Sequence, residues 1–392
     1  MVTAYTKMTP FEHSQLDELA AFMIYDAGLP LSFFEHPSVK AFLKRLQPAY
    51  TPPTRLRLSG TLLEKSYEAT KTEVEDYINT QQLLSVSFDE SNNVSSDRIM
   101  NIALTTPRGA FYYENIVLGS ATVSAEFCAE KIEQRLQHIT KQRMRRVNSI
   151  STDTCDTMLK TARLLRALPS LKHTFMVPCD PHGLQLLIQD ICKFTWFTKV
   201  VRQANEIVAH FKGSKKQYQV LKELQRRIYG GKALALIMAC DVRWGTYSGE
   251  FKRLLDVSKA LKAWATDHCI ISEEKPSERA QQVVKSISSH LFWLQLSELE
   301  EIITPIHIHQ LEAQTDRSHI GYVRGRWDKI WQHLERCQKT SSSISWDQYW
   351  PVLEARKKRQ LVDLHTLAYW LMPANVLSSR FKSGTSSNQL LI

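Results

Sequence analysis

Between residues 11 and 27 the apolar positions Leu16, Leu19, Ala20, Met23 and Ile24 recur at helical spacing. Gly28 and Pro30 interrupt that pattern, and Pro37 starts a second helix carrying Val39, Phe42, Leu43 and Leu46. "YTPPTR" reads as a rigid turn, because each proline fixes its own φ. "LLEKSYEATKTEVEDYI" is again amphipathic at helical period, so residues 1–80 read as an all-helical region.

The period then changes. "LLSVSFD", "IMNIALTT" and "AFYYENIVL" alternate as half-buried strands do, with "PRG" turning between the last two. "SAEFCAEKIEQRLQHI" returns to helical spacing. "VNSISTD" is a short strand, "TMLKTARLLRAL" a helix, "HTFMVPCD" a strand and "PHGLQLLIQDICKF" a helix. Three strands followed by helix, strand, helix, strand, helix predicts an α/β sheet, antiparallel in its first half and parallel after it.

From about 190 to 340 the pattern is almost wholly helical. "ALALIMAC" (233–240) reads as buried helix, too short for the roughly 18 apolar residues of a membrane span. "SEEKPSER" marks a loop. "SERAQQVVKSISSHLFWLQLSELEEIITPI" predicts one long helix stopped by Pro305. "KTSSSIS" is a polar linker, and the tail "SSRFKSGTSSNQ" has the composition of a disordered segment. No internal repeat is present.

Composition narrows the picture a little. At 392 residues and 43% hydrophobic content the chain can bury a sizeable core. Its net charge of +10 is compatible with an anionic partner such as nucleic acid without requiring one. Seven scattered cysteines with no CxxC pair argue against a disulfide framework and for a reducing compartment. The N-terminus lacks a basic segment followed by an apolar one, so no signal peptide is expected.

Asp89 and Asp153 each close a predicted strand. Neighbouring strand ends in an open sheet bring such side chains together, where two carboxylates suit Mg²⁺ or Mn²⁺; the plainer reading makes each a turn or helix cap. Cys179 and His182 in "CDPHGLQ" lack the further ligands of a zinc site and fit a strand–helix junction. Arg243 and Trp244 in "DVRWGTYSGEF" read either as a base-stacking ring beside a phosphate-binding cation or as core. Basic runs at 141–146 and 355–360 are phosphate contacts, nuclear import signals or solvated faces.

Taken in order, these segments resemble the hAT superfamily of DNA transposases, in its fungal and plant branch. "SVSFDESNNVSSDRIMNI" resembles the first-aspartate strand and "STDTCDTMLKTARLL" the second-aspartate motif. "CDPHGLQLLIQDI" resembles the Cys-x-x-His-x-Leu motif, and "DVRWGTYSGEFKRLL" the Arg-Trp motif of a helical insertion. "GRWDKIW" and "LHTLAYWLMP" resemble the region after it. The resemblance covers roughly residues 15–375.

It implies an α/β protein with an RNase H-like mixed-sheet core interrupted by a large all-helical insertion. The expected parts are an N-terminal helical region (1–80), the first part of the core (81–195), the insertion (196–340) and a C-terminal helical remnant with a disordered tail (341–392). It further implies Asp89 and Asp153 as catalytic, metal-binding residues using Mg²⁺ or Mn²⁺. Arg243, Trp244, Cys179 and His182 would be nucleic-acid contacts. DNA is the expected partner, with no membrane association; the expected location is nuclear, with cytoplasmic as the alternative.

The departures point to lost catalysis. Asp89 is followed by "ES" rather than Gly-Trp, and "TDTCDT" lacks the family's asparagines. The third acid, in a Ser-Glu-Arg-x-Phe-Ser motif, has no counterpart, nor do the C-terminal dimerisation segment and the BED-type zinc finger, although a homo-oligomer stays possible. The expectation is a transposase-like pseudoenzyme. The alternatives are a domesticated nucleic-acid- or protein-binding module, and a metal-dependent nuclease using a substitute acid such as Glu354.

Overall fold

A computed structural model describes residues 7–119, 123–240, 245–271, 277–315, 317–341 and 345–376. The chain divides into two compact units, Met1–Gln82 and Leu83–Ile392. The tail predicted to be disordered lies outside the described residues.

The first unit is helical: α1 (Pro10–Asp26), α2 (Pro37–Leu46), α3 (Arg55–Ser59) and α4 (Thr61–Thr80). Thr9 and Glu12 begin α1 with a reciprocal capping box. Gly28 ends it at φ 61°, a conformation glycine adopts without a Cβ penalty. That turn lets the Leu29 and Gly28 N–H groups reach back to the Ile24 and Tyr25 carbonyls. Ala21, Ile24, Phe34, Leu58 and Leu62 make the small core. Beside it the buried Asp17 accepts from Arg57 at 2.6 Å and from Tyr50 at 3.1 Å, as a buried carboxylate requires.

The second unit opens with β1 (Leu84–Asn92), β2 (Arg98–Thr106) and β3 (Gly109–Val117). It continues with α5 (Ala125–Ile139), β4 (Val147–Thr152), α6 (Asp156–Ala167), β5 (Phe175–Pro178) and α7 (Asp180–Cys192). Mixed α/β character and a five-stranded mixed sheet agree with the alternation in the sequence. The strand order is β3-β2-β1-β4-β5. β1, β2 and β3 pair antiparallel, and β4 and β5 add parallel to β1. Leu84, Val86, Phe88 and Ile150 are buried, while Ser85, Ser87, Ser149 and Ser151 form a polar row on the other face, where Ser149 Oγ donates to Ser85 Oγ at 2.9 Å.

Beyond α7 come α8 (Thr195–Gly213), α9 (Lys215–Ile228), α10 (Thr246–Asp256), α11 (Ser258–Ile271), α12 (Glu278–Ser288), α13 (His290–Ala313), α14 (Ile320–Thr340), α15 (Trp350–Gln360), α16 (Asp363–Leu371) and α17 (Pro373–Val376). One apolar cluster runs from Leu184 on α7 to Leu353 on α15. The helix that follows β5 is therefore a wall of the helical core.

Three expectations need correction. Residues 233–240 do not form a buried helix, and Leu234, Ile237 and Met238 are exposed. Gly230 and Gly231 end α9 at positive φ. Side chains then satisfy the backbone that a helix would have satisfied internally. Gln225 brackets Leu234 with two hydrogen bonds, Tyr218 OH accepts from the Leu236 N–H, and the buried Glu250 accepts from the Ala239 N–H.

The long helix of 277–305 is two helices. Ser289 Oγ accepts from the Phe292 N–H and restarts the chain as α13. Pro305 does not stop α13, which continues to Ala313. A proline at 305 cannot donate to the Glu301 carbonyl, but His333 Nε2 does so from α14 at 3.0 Å. Among the described residues no helix is long and apolar enough to cross a membrane.

Candidate functional site

The site grows out of strand register. β1 and β4 pair in parallel with Ser85 opposite Ser149 and Ser87 opposite Ser151. Two residues further along each chain stand Asp89 and Asp153, so the same register sets them side by side on the polar face. β4 and β5 pair with Ser151 opposite Val177 and Thr152 opposite Pro178. The next step places Cys179 beside Asp153, and the Cys179 N–H donates to the Thr152 carbonyl at 2.8 Å. The row Asp89, Asp153, Cys179 thus crosses three strands at one end of the sheet.

Asp153 directly follows β4, as its sequence position suggested. Asp89 does not end its strand. β1 runs on to Asn92 because β2 keeps pairing with it through Asn92 opposite Arg98. The pairing with β4 ends two residues before Asp89, at Ser87 opposite Ser151. A hairpin closed by Asn93 and Asp97 lies beyond it.

The local chemistry gives the two acids different surroundings. Asp153 Oδ1 accepts from the Cys155 N–H at 3.1 Å, and Cys155 Sγ caps α6 by accepting from the Met158 N–H. The Asp89 carboxylate has no hydrogen-bond partner among the described residues. Partial burial, then the Asp153 carboxylate, push the Asp89 carboxyl above the ordinary range; His182 pulls it back and Glu90 adds a push. Cys179 answers to the same charges. Burial, with smaller contributions from Asp89, Asp180 and Asp153, lifts its thiol to about 11 against a backbone hydrogen bond at His182. Asp89, Asp153, Cys179 and His182 are thus one electrostatic neighbourhood. Asp89 and Asp153 also line a small pocket of about 140 Å³ with Arg98, Cys155 and Met158.

Sequence reasoning passed over the residues that hold this end of the sheet in place. Asp180, the first residue of α7, is buried and accepts from Trp327 Nε1 at 2.7 Å and from Arg326 Nη1. Arg326 Nη2 reaches Ser318 Oγ at 3.1 Å. Gln360, also buried, donates to the Pro178 carbonyl at 3.2 Å. Its side chain lies so close to Gly183 that a Cβ there would stand 2.1 Å from Gln360 Oε1. α14 and α15 therefore clamp the strand–helix junction that presents Cys179 and His182. The one signal in the sequence was an acid at a helix start, where the helix dipole favours it.

Other candidates fall elsewhere. Arg243 and Trp244 lie outside the described residues. Glu354 Oε1 accepts from Trp331 Nε1 at 2.6 Å. In the basic run at 355–360, Arg356 pairs with Asp190 at 2.8 Å and Lys357 sits over the Trp331 ring. In the run at 141–146, Met144 and Arg146 are buried.

The donors suit one hard cation. Two carboxylates, one of them without a protein hydrogen bond, match an ion that keeps several waters and takes one or two carboxylates, as Mg²⁺ does. The third member of the row is a protonated thiol, a poor ligand for such an ion. Among the described residues no group of three His, Cys, Asp or Glu is placed to hold a metal together.

The raised Asp89 value has a consequence for stability. The folded state holds that proton more tightly than the unfolded chain, so this contribution is complete in acid, below about pH 4, and lost as pH rises through the raised value. Without divalent metal, Asp89→Asn should therefore raise the melting temperature at pH 7 by about 1–2 °C and leave it unchanged at pH 3. Thermal melts at the two pH values check this; a drop at pH 7 would contradict it.

A family model described as "Domain of unknown function (DUF659)" matches residues 53–207. No curated protein matches the chain. The matched region holds all five strands, both aspartates, Cys179 and His182. Over these residues the chain is similar to a domain found in hAT-family transposase-like proteins.

Proposed function

We propose that this protein is a hAT-transposase-derived, DNA-binding protein with an RNase H-like core and a catalytically incomplete metal site. The observation that carries the reading is the placement of Asp89 and Asp153 in one register row, on a mixed sheet of order 3-2-1-4-5, within the region matched by the domain of transposase-like proteins. The helices from α8 to α14 are then the insertion of such a core, and those from α15 onward its C-terminal remnant.

Asp89 and Asp153 would hold one Mg²⁺ or Mn²⁺. Bound there, the ion would supply positive charge for a DNA phosphate. Asp153, oriented by the Cys155 N–H, would present its second oxygen, and His182 lies close enough to offset part of the upward push on the Asp89 carboxyl. Hydrolysis by a two-metal route asks for further carboxylate ligands. The neighbouring position in the row is Cys179, whose thiol stays protonated at neutral pH. The reading is therefore retained binding without strand cleavage.

Incubation of the full chain with end-labelled duplex and hairpin DNA, in Mg²⁺ and in Mn²⁺, tests this. The expected outcome is salt-dependent binding with intact strands. Metal-dependent cleavage abolished by Asp153→Asn would replace the reading with an active nuclease. Absence of any DNA binding would remove the DNA partner.

A further inference from the structure

α9 and the residues flanking it carry a concentration of charge that the acid pair does not explain. Residues 212–232 contain seven Lys or Arg and one acid, Glu223, a net +6 out of the chain's +10. At 100° per residue Lys215, Lys222 and Arg226 fall within about 40° of one another, a stripe roughly 16 Å long, with Lys216 and Arg227 beside it. Lys215, Lys216 and Arg226 are exposed and enter no ion pair among the described residues. The single acid, Glu223, accepts from Gln219 at 3.2 Å and enters no ion pair with them among the described residues. Lys222 is held over the Tyr218 ring at 4.6 Å, which fixes one cation of the stripe. The run at 355–360 differs, since Arg356 and Lys357 there are engaged by Asp190 and Trp331.

We infer that this face of α9 is a docking surface for the phosphate backbone of duplex DNA, separate from the acid pair. The inference rests on the DNA-binding reading above and adds the surface that supplies its affinity. Charge complementarity selects the occupant. A row of exposed Lys and Arg on a rigid helix meets a regular row of phosphates without reading bases. A bilayer fits less well, because the apolar side of α9, Leu221 and Leu224, is spent in the core. The surface orients and holds DNA independently of sequence.

The test uses the full chain and a labelled 30-bp duplex of arbitrary sequence, titrated at several salt concentrations. The α9 variant is Lys215→Gln/Lys216→Gln/Arg226→Gln. A control with equal charge loss is Lys40→Gln/Lys44→Gln/Arg45→Gln on α2, also exposed. Both should melt like the parent. The α9 variant should lower the slope of log affinity against log salt by about 3, near one unit per lost phosphate contact, and weaken binding at low salt at least tenfold. The α2 variant should change little. Parent-like binding by the α9 variant overturns the inference and leaves the DNA reading standing. Equal loss in both variants shows a net-charge effect and also overturns it. Failure of the parent chain to bind duplex overturns both. Binding of phosphatidylserine vesicles in preference to DNA assigns the face to a membrane and overturns the inference.

Discussion

Asp180→Asn should destabilise the second unit by about 3–5 kcal/mol, the usual cost of stripping one partner from a buried ion pair. Arg326 is 7% exposed and its guanidinium has spent one arm on Asp180 and another on Ser318. Removing the carboxylate charge leaves a cation that water cannot reach and that does not give up its proton. A cost of this size lowers the melting temperature by roughly 5–12 °C.

The reverse deletion should be milder. Burial already pushes the Asp180 carboxyl up, against the pull of Trp327 and Arg326. Arg326→Met removes that second pull, so the carboxyl moves further up while Trp327 stays as donor, at a cost of about 1–3 kcal/mol. The cost should grow as pH rises, because ionising Asp180 then becomes unfavourable in the folded state. Urea denaturation of both variants at two pH values decides the matter, and equal, pH-independent losses would contradict the asymmetry.

Trp264→Ala should cost a similar 3–5 kcal/mol, for a different reason. Trp264 on α11 is 2% exposed and packs edge-on against Phe211 at 4.8 Å, with its Nε1 donating to Gln217 at 2.8 Å. The truncation opens a cavity that rigid helices cannot close. The sheet should register it too. α7 gives Leu184, Leu187, Ile188 and Ile191 to the same core and begins right after β5. A single unfolding transition, shifted as a whole and reported equally by helix content and by labelling of Cys179, is the expected result. An early melt of the helices with the sheet intact would show that the two fold separately.

What the sequence disclosed depended on how local the cause was. The strands over 84–117 are legible because each alternates polar and apolar residues and is bounded by turn chemistry. Asp153 is legible as the residue after a short strand. The register that sets Asp89 beside it was expected from topology, although β1 outruns Asp89 because β2 still pairs with it. Causes that come from far along the chain stay hidden. Pro305 should end a helix by every local rule, and a histidine 28 positions later supplies the missing donor. "ALALIMAC" is apolar enough for a buried helix, yet Gln225, Tyr218 and Glu250 bond its backbone outside any helix. Asp180 meets Arg326 across 146 residues, a pairing no periodicity could announce.

If Asp89 and Asp153 act as one divalent-cation site, as proposed above, Mn²⁺ titration followed by electron paramagnetic resonance reads it at the ion itself. At pH 7 the full chain should bind one Mn²⁺, weakly, with a dissociation constant of roughly a millimolar, as two carboxylates with a water-filled remainder allow. Asp89→Asn and Asp153→Asn should each abolish that binding while the fold, judged by circular dichroism, is kept. Unchanged Mn²⁺ binding in both variants, or no binding by the parent chain, would rule out a cation shared by Asp89 and Asp153.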